Sequence, residues 1–303
     1  MSEMTQLQQA IQAAFPQTEL RMEEPLAQHT SFRIGGPCEV MAFPRSVEEL
    51  SRLLRWAHGR QLQPAILGSG TNVLAADARR RGLVICTRGC LDGLEQVDGV
   101  HIRVLAGVSM ARAAVFAANL GLSGLEFAHG IPGSVGGGLY MNAGAYGGEI
   151  RQVAVRTEFL DQEGIHHTLE GEEQGFGYRK SAFTGTSRVI VAGTFALTPG
   201  APEEIRQRMQ ELMARRKASQ PLDLPSAGST FKRPVGGYAA ALIEQAGLKG
   251  TQIGGAAVSA KHAGFVVNLG GATESDVLAL IAHVQKRVLE TSGISLEPEV
   301  VRL

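Results

Sequence analysis

Two glycine-rich runs stand out as places where backbone could do chemistry. The first, Gly68-Ser69-Gly70-Thr71-Asn72, follows the apolar stretch 64–67. The second is Gly130-Ile131-Pro132-Gly133-Ser134-Val135-Gly136-Gly137-Gly138. Glycine turns leave backbone N–H groups free to form an anion nest, and a following helix N-terminus adds positive potential. Neither run is a P-loop, because no Gly-Lys-Ser/Thr follows. Neither is a dinucleotide fingerprint; in the first, Val73 stands where the third glycine belongs. Each run alone reads equally well as a structural turn or as a phosphate cradle. Two of them in one stretch of the chain favour the cradle, and with it a ligand carrying a pyrophosphate: a dinucleotide or a nucleotide-sugar.

The reactive side chains are less telling by themselves. Arg179, in Tyr178-Arg179-Lys180-Ser181, reads as part of a solvated basic pair. Ser229, in Gly228-Ser229-Thr230, reads as a turn serine. Glu299, between Pro298 and Val300, reads as an edge-strand acid. Cys86 and Cys90 have the spacing of half a metal site, but no second pair or histidine cluster completes it, so no metal is expected. His29, His129 and His262 read as structural, and Trp56 as packing.

The elements that must position these residues are partly legible. A strand is expected over 39–44. Ser46, with Glu49 three residues on, opens a helix whose stripe is Val47, Leu50, Leu53, Leu54 and Ala57, ending at Gly59. Strands follow over 64–67, 83–87 and 102–106, with Asp98-Gly99 as a hairpin signal between the last two. Ser109 caps a helix running to Gly121. A hairpin is expected over 158–160 and 166–169, and a strand over 189–197. Pro202-Glu203-Glu204 starts a helix with Arg215, Arg216 and Lys217 in its last turn, matching the macrodipole. Beyond it come a helix over 238–246, a strand over 264–269, a helix over 274–291 capped by Thr273 and Asp276, and a terminal strand over 296–303. The first forty residues hold few clear elements. This order of strands and helices predicts an α+β fold rather than an alternating βαβ series.

Composition narrows the class. The 303 residues carry 29 basic and 29 acidic side chains, which argues against a nucleic-acid grip. No signal peptide and no membrane-spanning run are visible, and three cysteines suit a reducing compartment. A soluble, cytoplasmic chain without nucleic-acid or membrane partners is expected, as a monomer or weak oligomer.

Taken together, the two glycine runs resemble the FAD-binding domain of vanillyl-alcohol-oxidase-type flavoenzymes. The series His29-Thr30-Ser31-Phe32-Arg33-Ile34-Gly35-Gly36, Asn142-Ala143-Gly144-Ala145-Tyr146-Gly147, Gly177-Tyr178-Arg179-Lys180-Ser181, Ala227-Gly228-Ser229-Thr230-Phe231-Lys232 and Leu296-Glu297-Pro298-Glu299-Val300 resembles, within that group, the UDP-N-acetylenolpyruvoylglucosamine reductases. The likeness spans nearly the whole chain and points to the compact variety, since no counterpart of the tyrosine-bearing loop of longer members is found.

The resemblance implies a two-part FAD-binding domain over 1–200 and a smaller α/β substrate-binding domain over 201–303, whose last strand packs back near the active site. It implies noncovalent FAD, NADPH as hydride donor and a nucleotide-sugar substrate. It assigns the cofactor to Gly68, Ser69, Gly70, Thr71, Asn72, Gly130, Ile131, Pro132, Gly133, Ser134, Gly136 and Gly137. Ser229 becomes the general acid, Arg179 the carboxylate clamp, and Glu299 its companion on the intermediate. Tyr178, Lys232 and Asn268 are expected on the UDP-sugar. The competing readings are an oxygen-using oxidase of the same superfamily, a non-enzymatic nucleotide-sugar or flavin binder, and a phosphate-transfer enzyme. The last lacks both the Walker lysine and a metal carboxylate pair.

Overall fold

The computed structural model describes residues 4–303. It is α+β, and the chain divides into two compact units, each built from non-contiguous segments. The first unit takes residues up to 23, 39–69 and 81–215; the second takes 24–38, 70–80 and 216–303.

The first unit has two main sheets. One orders its four strands Glu19–Pro25, Pro37–Phe43, Arg80–Cys86, Ala65–Leu67, the last two parallel with Leu67 opposite Cys86. The other is antiparallel, in the order His166–Glu170, Ala154–Leu160, Val189–Ala196, His101–Leu105, Leu94–Gln96. Its central strand, Val189–Ala196, is buried along almost its whole length, which is why it reads as a continuous apolar run rather than an alternating one. Helix α1 (Gln6–Ala14) begins at a capping box between Thr5 and Gln8. Helix α2 (Val47–His58) has Ser46 as N-cap and buries Leu50, Leu53, Leu54 and Ala57. Helices α3 (Met110–Asn119) and α4 (Val135–Met141) are capped by Ser109 and Ser134. Helix α5 (Pro202–Ser219) sends Ile205, Met209 and Leu212 into the same core as Val104, Phe159 and Val191.

The second unit has an antiparallel sheet ordered Ser226–Ser229, Phe265–Asn268, Ala256–Val258, Gln252–Ile253, together with α6 (Ala239–Gln245) and α7 (Glu274–Ser292). Val277, Leu280, Ile281, Val284 and Val288 form the buried stripe of α7, which starts at the full Thr273–Asp276 capping box. Phe32, Ile34 and Leu74 complete this core.

Several expectations change. The division expected at residue 200 moves to 215/216, because the apolar stripe of α5 packs into the first core. Segments 24–38 and 70–80 join the second unit because Phe32, Ile34 and Leu74 are part of its core. The start of the chain is not featureless; the Thr5-x-x-Gln8 capping box was the available signal for α1. The Asp98-Gly99 turn joins His101–Leu105 to Leu94–Gln96, not to the strand ending at Cys86. Of the expected terminal strand, Val301–Arg302 pairs in parallel with Val73–Leu74, and Pro298 forms an isolated antiparallel bridge with Phe231. Helix α4 falls where a glycine loop was expected. Among the described residues no helix is long and apolar enough to cross a membrane.

On the five-stranded sheet, Arg103 Nη2 donates to Glu158 Oε2 at 2.7 Å, and His166 Nε2 lies 3.2 Å from the same oxygen. The Arg103 guanidinium holds the Glu158 carboxyl below its usual range. A lowered folded pKa favours the charged form. The resulting stability is therefore present above the unfolded value of about 4.3 and is lost as pH falls through the lower folded value. Glu158→Gln is expected to cost about 1 kcal/mol near neutral pH, the scale of a partly exposed pair. In urea unfolding, its deficit against the parent should shrink toward zero as pH drops below that range.

Candidate active site

In the first unit the two glycine runs meet. A Cβ on Gly68 would lie 2.4 Å from Ser134 Oγ, so only glycine lets the end of strand Ala65–Leu67 approach the second run this closely. Ser134 Oγ in turn accepts from Gly137 N–H at 3.3 Å and caps α4. The second run is stitched to the segment before α3. Met110 N–H donates to Gly133 O at 2.9 Å, Val135 N–H to Val108 O at 2.8 Å and Gly136 N–H to Ala106 O at 2.9 Å. Among the described residues none accepts from the N–H groups of Gly68, Ser69, Gly130, Gly133 or Ser134. The result is a group of open donors on two adjoining loops, the arrangement a diphosphate needs.

Other cofactor expectations change at this level. The N–H groups of Gly136 and Gly137 are committed to Ala106 O and to the Ser134 cap, and that of Ile131 to Ala128 O at 3.0 Å. Pro132 has no N–H to offer. These four residues shape the loop rather than supply its donors. Gly70, Thr71 and Asn72 fall in the second unit, where Gly70 O accepts from Ser31 N–H at 3.0 Å and Asn72 Nδ2 donates to Glu299 O at 3.1 Å.

Tyr178 and Arg179, also in the first unit, form the two central residues of a tight turn. Gly177 and Lys180 exchange backbone bonds at 3.0 and 3.3 Å. Arg179 adopts φ 54°, a left-handed state uncommon for a residue with a side chain, and its guanidinium lies 5.2 Å from the centre of the exposed Tyr178 ring.

The second unit gathers Ser229, Lys232 and Glu299. The register between Ser226–Ser229 and Phe265–Asn268 slips between Ser226 and Ser229, where Gly228 takes φ 74°. This bulge places Thr230 inside, with Oγ1 accepting from Val266 N–H at 3.0 Å, and leaves Ser229 exposed. No hydrogen-bond partner for Ser229 Oγ occurs among the described residues. The segment carrying Glu299 runs alongside: Glu299 N–H donates to Thr230 O and Lys232 N–H to Glu297 O, both at 2.8 Å. Lys232 Nζ is ion-paired with Glu297.

Asn268 does not behave as a ligand. It is 6% exposed; its Nδ2 donates to Phe32 O at 3.0 Å, while its Oδ1 accepts from Gly270 N–H at 2.9 Å and Ala272 N–H at 3.2 Å. The expected sugar-binding role gives way to tying Phe32 to the loop at 270–272. Thr230, unnoticed in the sequence, does similar work.

Of the residues read as incidental, His29 and His262 have partners, whereas His129 Nδ1 and Trp56 Nε1 are buried with none among the described residues. His29 Nε2 lies 2.7 Å from Glu24 Oε1. His262 accepts from Gly264 N–H, and burial pushes its pKa down. Burial raises both thiols, Cys90 to about 11, so neither is a ready thiolate.

Comparison with known proteins finds matches in both units of the chain. Residues 38–170 match a family described as an FAD binding domain, and residues 220–303 match the C-terminal domain of UDP-N-acetylenolpyruvoylglucosamine reductase. The reductase of Levilactobacillus brevis is 46% identical over 96% of this chain and 95% of its own, and that of Caldanaerobacter subterraneus subsp. tengcongensis is 46% identical over 93% and 92%. The crystal structure of the Thermus caldophilus reductase superposes with a TM-score of 0.79 at 34% identity, covering 94% of this chain and 98% of that one.

Gly68→Ala drives a methyl group against Ser134 and separates the two loops. The variant is expected to fold and to purify with less bound FAD than the parent, measured as visible flavin absorbance per protein. With matching sequences at both ends, relatives aligned along almost their full length and a shared fold, the chain belongs to the UDP-N-acetylenolpyruvoylglucosamine reductase family.

Proposed function

We propose that this protein reduces the enolpyruvyl group of UDP-N-acetylglucosamine enolpyruvate to give UDP-N-acetylmuramate, with NADPH as reductant and FAD as noncovalent cofactor. The reaction belongs to peptidoglycan precursor synthesis and is assigned to the cytoplasm. The observation that carries this reading is the identity to the reductases, which extends through both units rather than the FAD-binding part alone.

The residues present fit the cofactor. The open N–H groups of Gly68, Ser69, Gly130, Gly133 and Ser134 are suited to its pyrophosphate, which carries charge but needs no metal here if enough backbone dipoles face it. When bound, FAD supplies hydride chemistry that no side chain offers.

The remaining tasks fall to side chains. Saturating the enolpyruvyl double bond adds a hydride to the terminal carbon and a proton to the carbon bearing the carboxylate. Ser229 is assigned the proton. Its hydroxyl is exposed and free of described hydrogen bonds, as a donor to substrate must be. Arg179 is assigned the substrate carboxylate, where negative charge grows as hydride arrives; a guanidinium fork meets both oxygens. Glu299 is assigned to the same developing charge, which a carboxyl group stabilises only in its acid form, as a hydrogen-bond donor. Tyr178, exposed at the same turn as Arg179, is assigned to the nucleotide-sugar. Lys232 is assigned to its diphosphate, for which it must exchange Glu297 for phosphate oxygens.

The test is anaerobic mixing. The flavin band should bleach with NADPH and return on adding the enolpyruvyl substrate. A band that returned only with oxygen would replace the reductase reading with an oxidase one. Ser229→Ala should keep its flavin and its reduction by NADPH, while return of the band with substrate slows by about 100-fold or more, the usual contribution of a general acid. Undiminished turnover, or loss of flavin, would remove Ser229 from this role.

A further inference from the structure

Asn142 joins the flavin-side loop to the turn that carries Arg179. It caps α4 at φ 44° and ψ 58°, and is 1% exposed. Its amide is used on both atoms. Oδ1 accepts from Arg151 N–H at 2.9 Å, and Nδ2 donates to Glu149 Oε2 at 3.0 Å and to Gly177 O at 3.0 Å. The other end of the same short helix is capped by Ser134, the residue that meets Gly68. All of these groups belong to the first unit.

Gly177 O opens the turn. It also accepts the turn's closing bond from Lys180 N–H, at a longer 3.3 Å. Two residues later Arg179 holds a left-handed backbone that a tight turn normally gives to glycine or asparagine. Such a state persists only where its surroundings over-determine it. The Asn142 amide is the buried group that holds the first carbonyl of this turn in place.

We propose that Asn142 is a positioning residue for Arg179. Its Nδ2 anchors Gly177 O, keeps the turn closed and so sets the direction in which the guanidinium leaves the backbone. The inference rests on the reading of Arg179 as the carboxylate clamp. Asparagine meets three demands at once: it tolerates the left-handed cap, it accepts from Arg151 and it donates twice. Aspartate would keep the first two and lose the donors, turning a charge toward Glu149 and the Gly177 carbonyl. Glycine would keep the cap geometry alone.

Asn142→Asp and Asn142→Gly should retain bound FAD and reduce it with NADPH at the parental rate. Reoxidation by substrate should slow by about 100-fold, the scale on which an ångström of misplacement costs rate. In steady state KM for the enolpyruvyl substrate should rise while KM for NADPH stays put. Combined with Arg179→Ala, Asn142→Asp should add no further loss, since both remove the same interaction. Parental reoxidation in both Asn142 variants would overturn the proposal. So would losses that add fully to that of Arg179→Ala, or loss of FAD from both variants, which would make Asn142 a cradle residue. If Arg179→Ala itself reoxidised at the parental rate, the carboxylate clamp would fail and the positioning role with it. That outcome is distinct from an impaired Arg179→Ala on which Asn142 acts independently.

Discussion

The first unit is organised around one close approach, that of Gly68 to Ser134. A Cβ on Gly68 would overlap the Ser134 hydroxyl, so the absence of one lets the end of one strand and the start of α4 approach with that hydroxyl in its capping position. Ser134 then directs its hydroxyl into the helix it begins, Gly136 N–H reaches Ala106 O, and Val135 N–H reaches Val108 O. A helix of seven residues, three of them glycine, has little intrinsic tendency to form. Both of its ends are tied to neighbours: Ser134 and its loop at one end, Asn142 with Glu149, Arg151 and Gly177 at the other. The loops with open donors and the turn bearing Arg179 are thus linked through one short helix.

The second unit solves a different problem. It leaves a serine hydroxyl exposed beside inward polar side chains that are hydrogen-bonded. Thr230 and Asn268 take the inward polar positions and meet backbone groups on every side, which keeps buried amides and carbonyls paired. The bulge at Gly228 puts Ser229 on the opposite side from Thr230. The segment bearing Glu299 is tied through its backbone, by Thr230 O, Asn72 Nδ2 and the pairing of Val301 with Val73. The side chains assigned to chemistry project from a framework made by their neighbours.

Both units follow the same economy of polar groups. Among residues with reactive potential but no assigned chemistry, burial raises the thiol pKa values of Cys86 and Cys90, His29 pairs with Glu24, and His262 is partly buried and accepts from Gly264 N–H. Ser229, by contrast, has an exposed hydroxyl with no described hydrogen bond.

Much of this was present in the sequence. Capped helices α2, α3 and α7, the hairpin read over 158–160 and 166–169, the buried strand Val189–Ala196 and the α+β class follow from periodicity, caps and turn residues, which are local signals. The motif order identified the family, and the glycine runs marked two loops whose backbone donors are open. Tertiary structure alone decided the rest. Composition suggested a boundary at 200, but α5 joined the first unit because its apolar stripe had a core to enter. Helix α4 was invisible because glycine propensity argues against it, and only contacts from Ala106, Val108 and Gly177 overcome that. Asn268 looked like a ligand and Asn142 like one motif letter among many. Which amide meets a sugar and which meets a carbonyl depends on residues far along the chain, Phe32 for one and Gly177 for the other, and separation in sequence carries no trace of such a meeting.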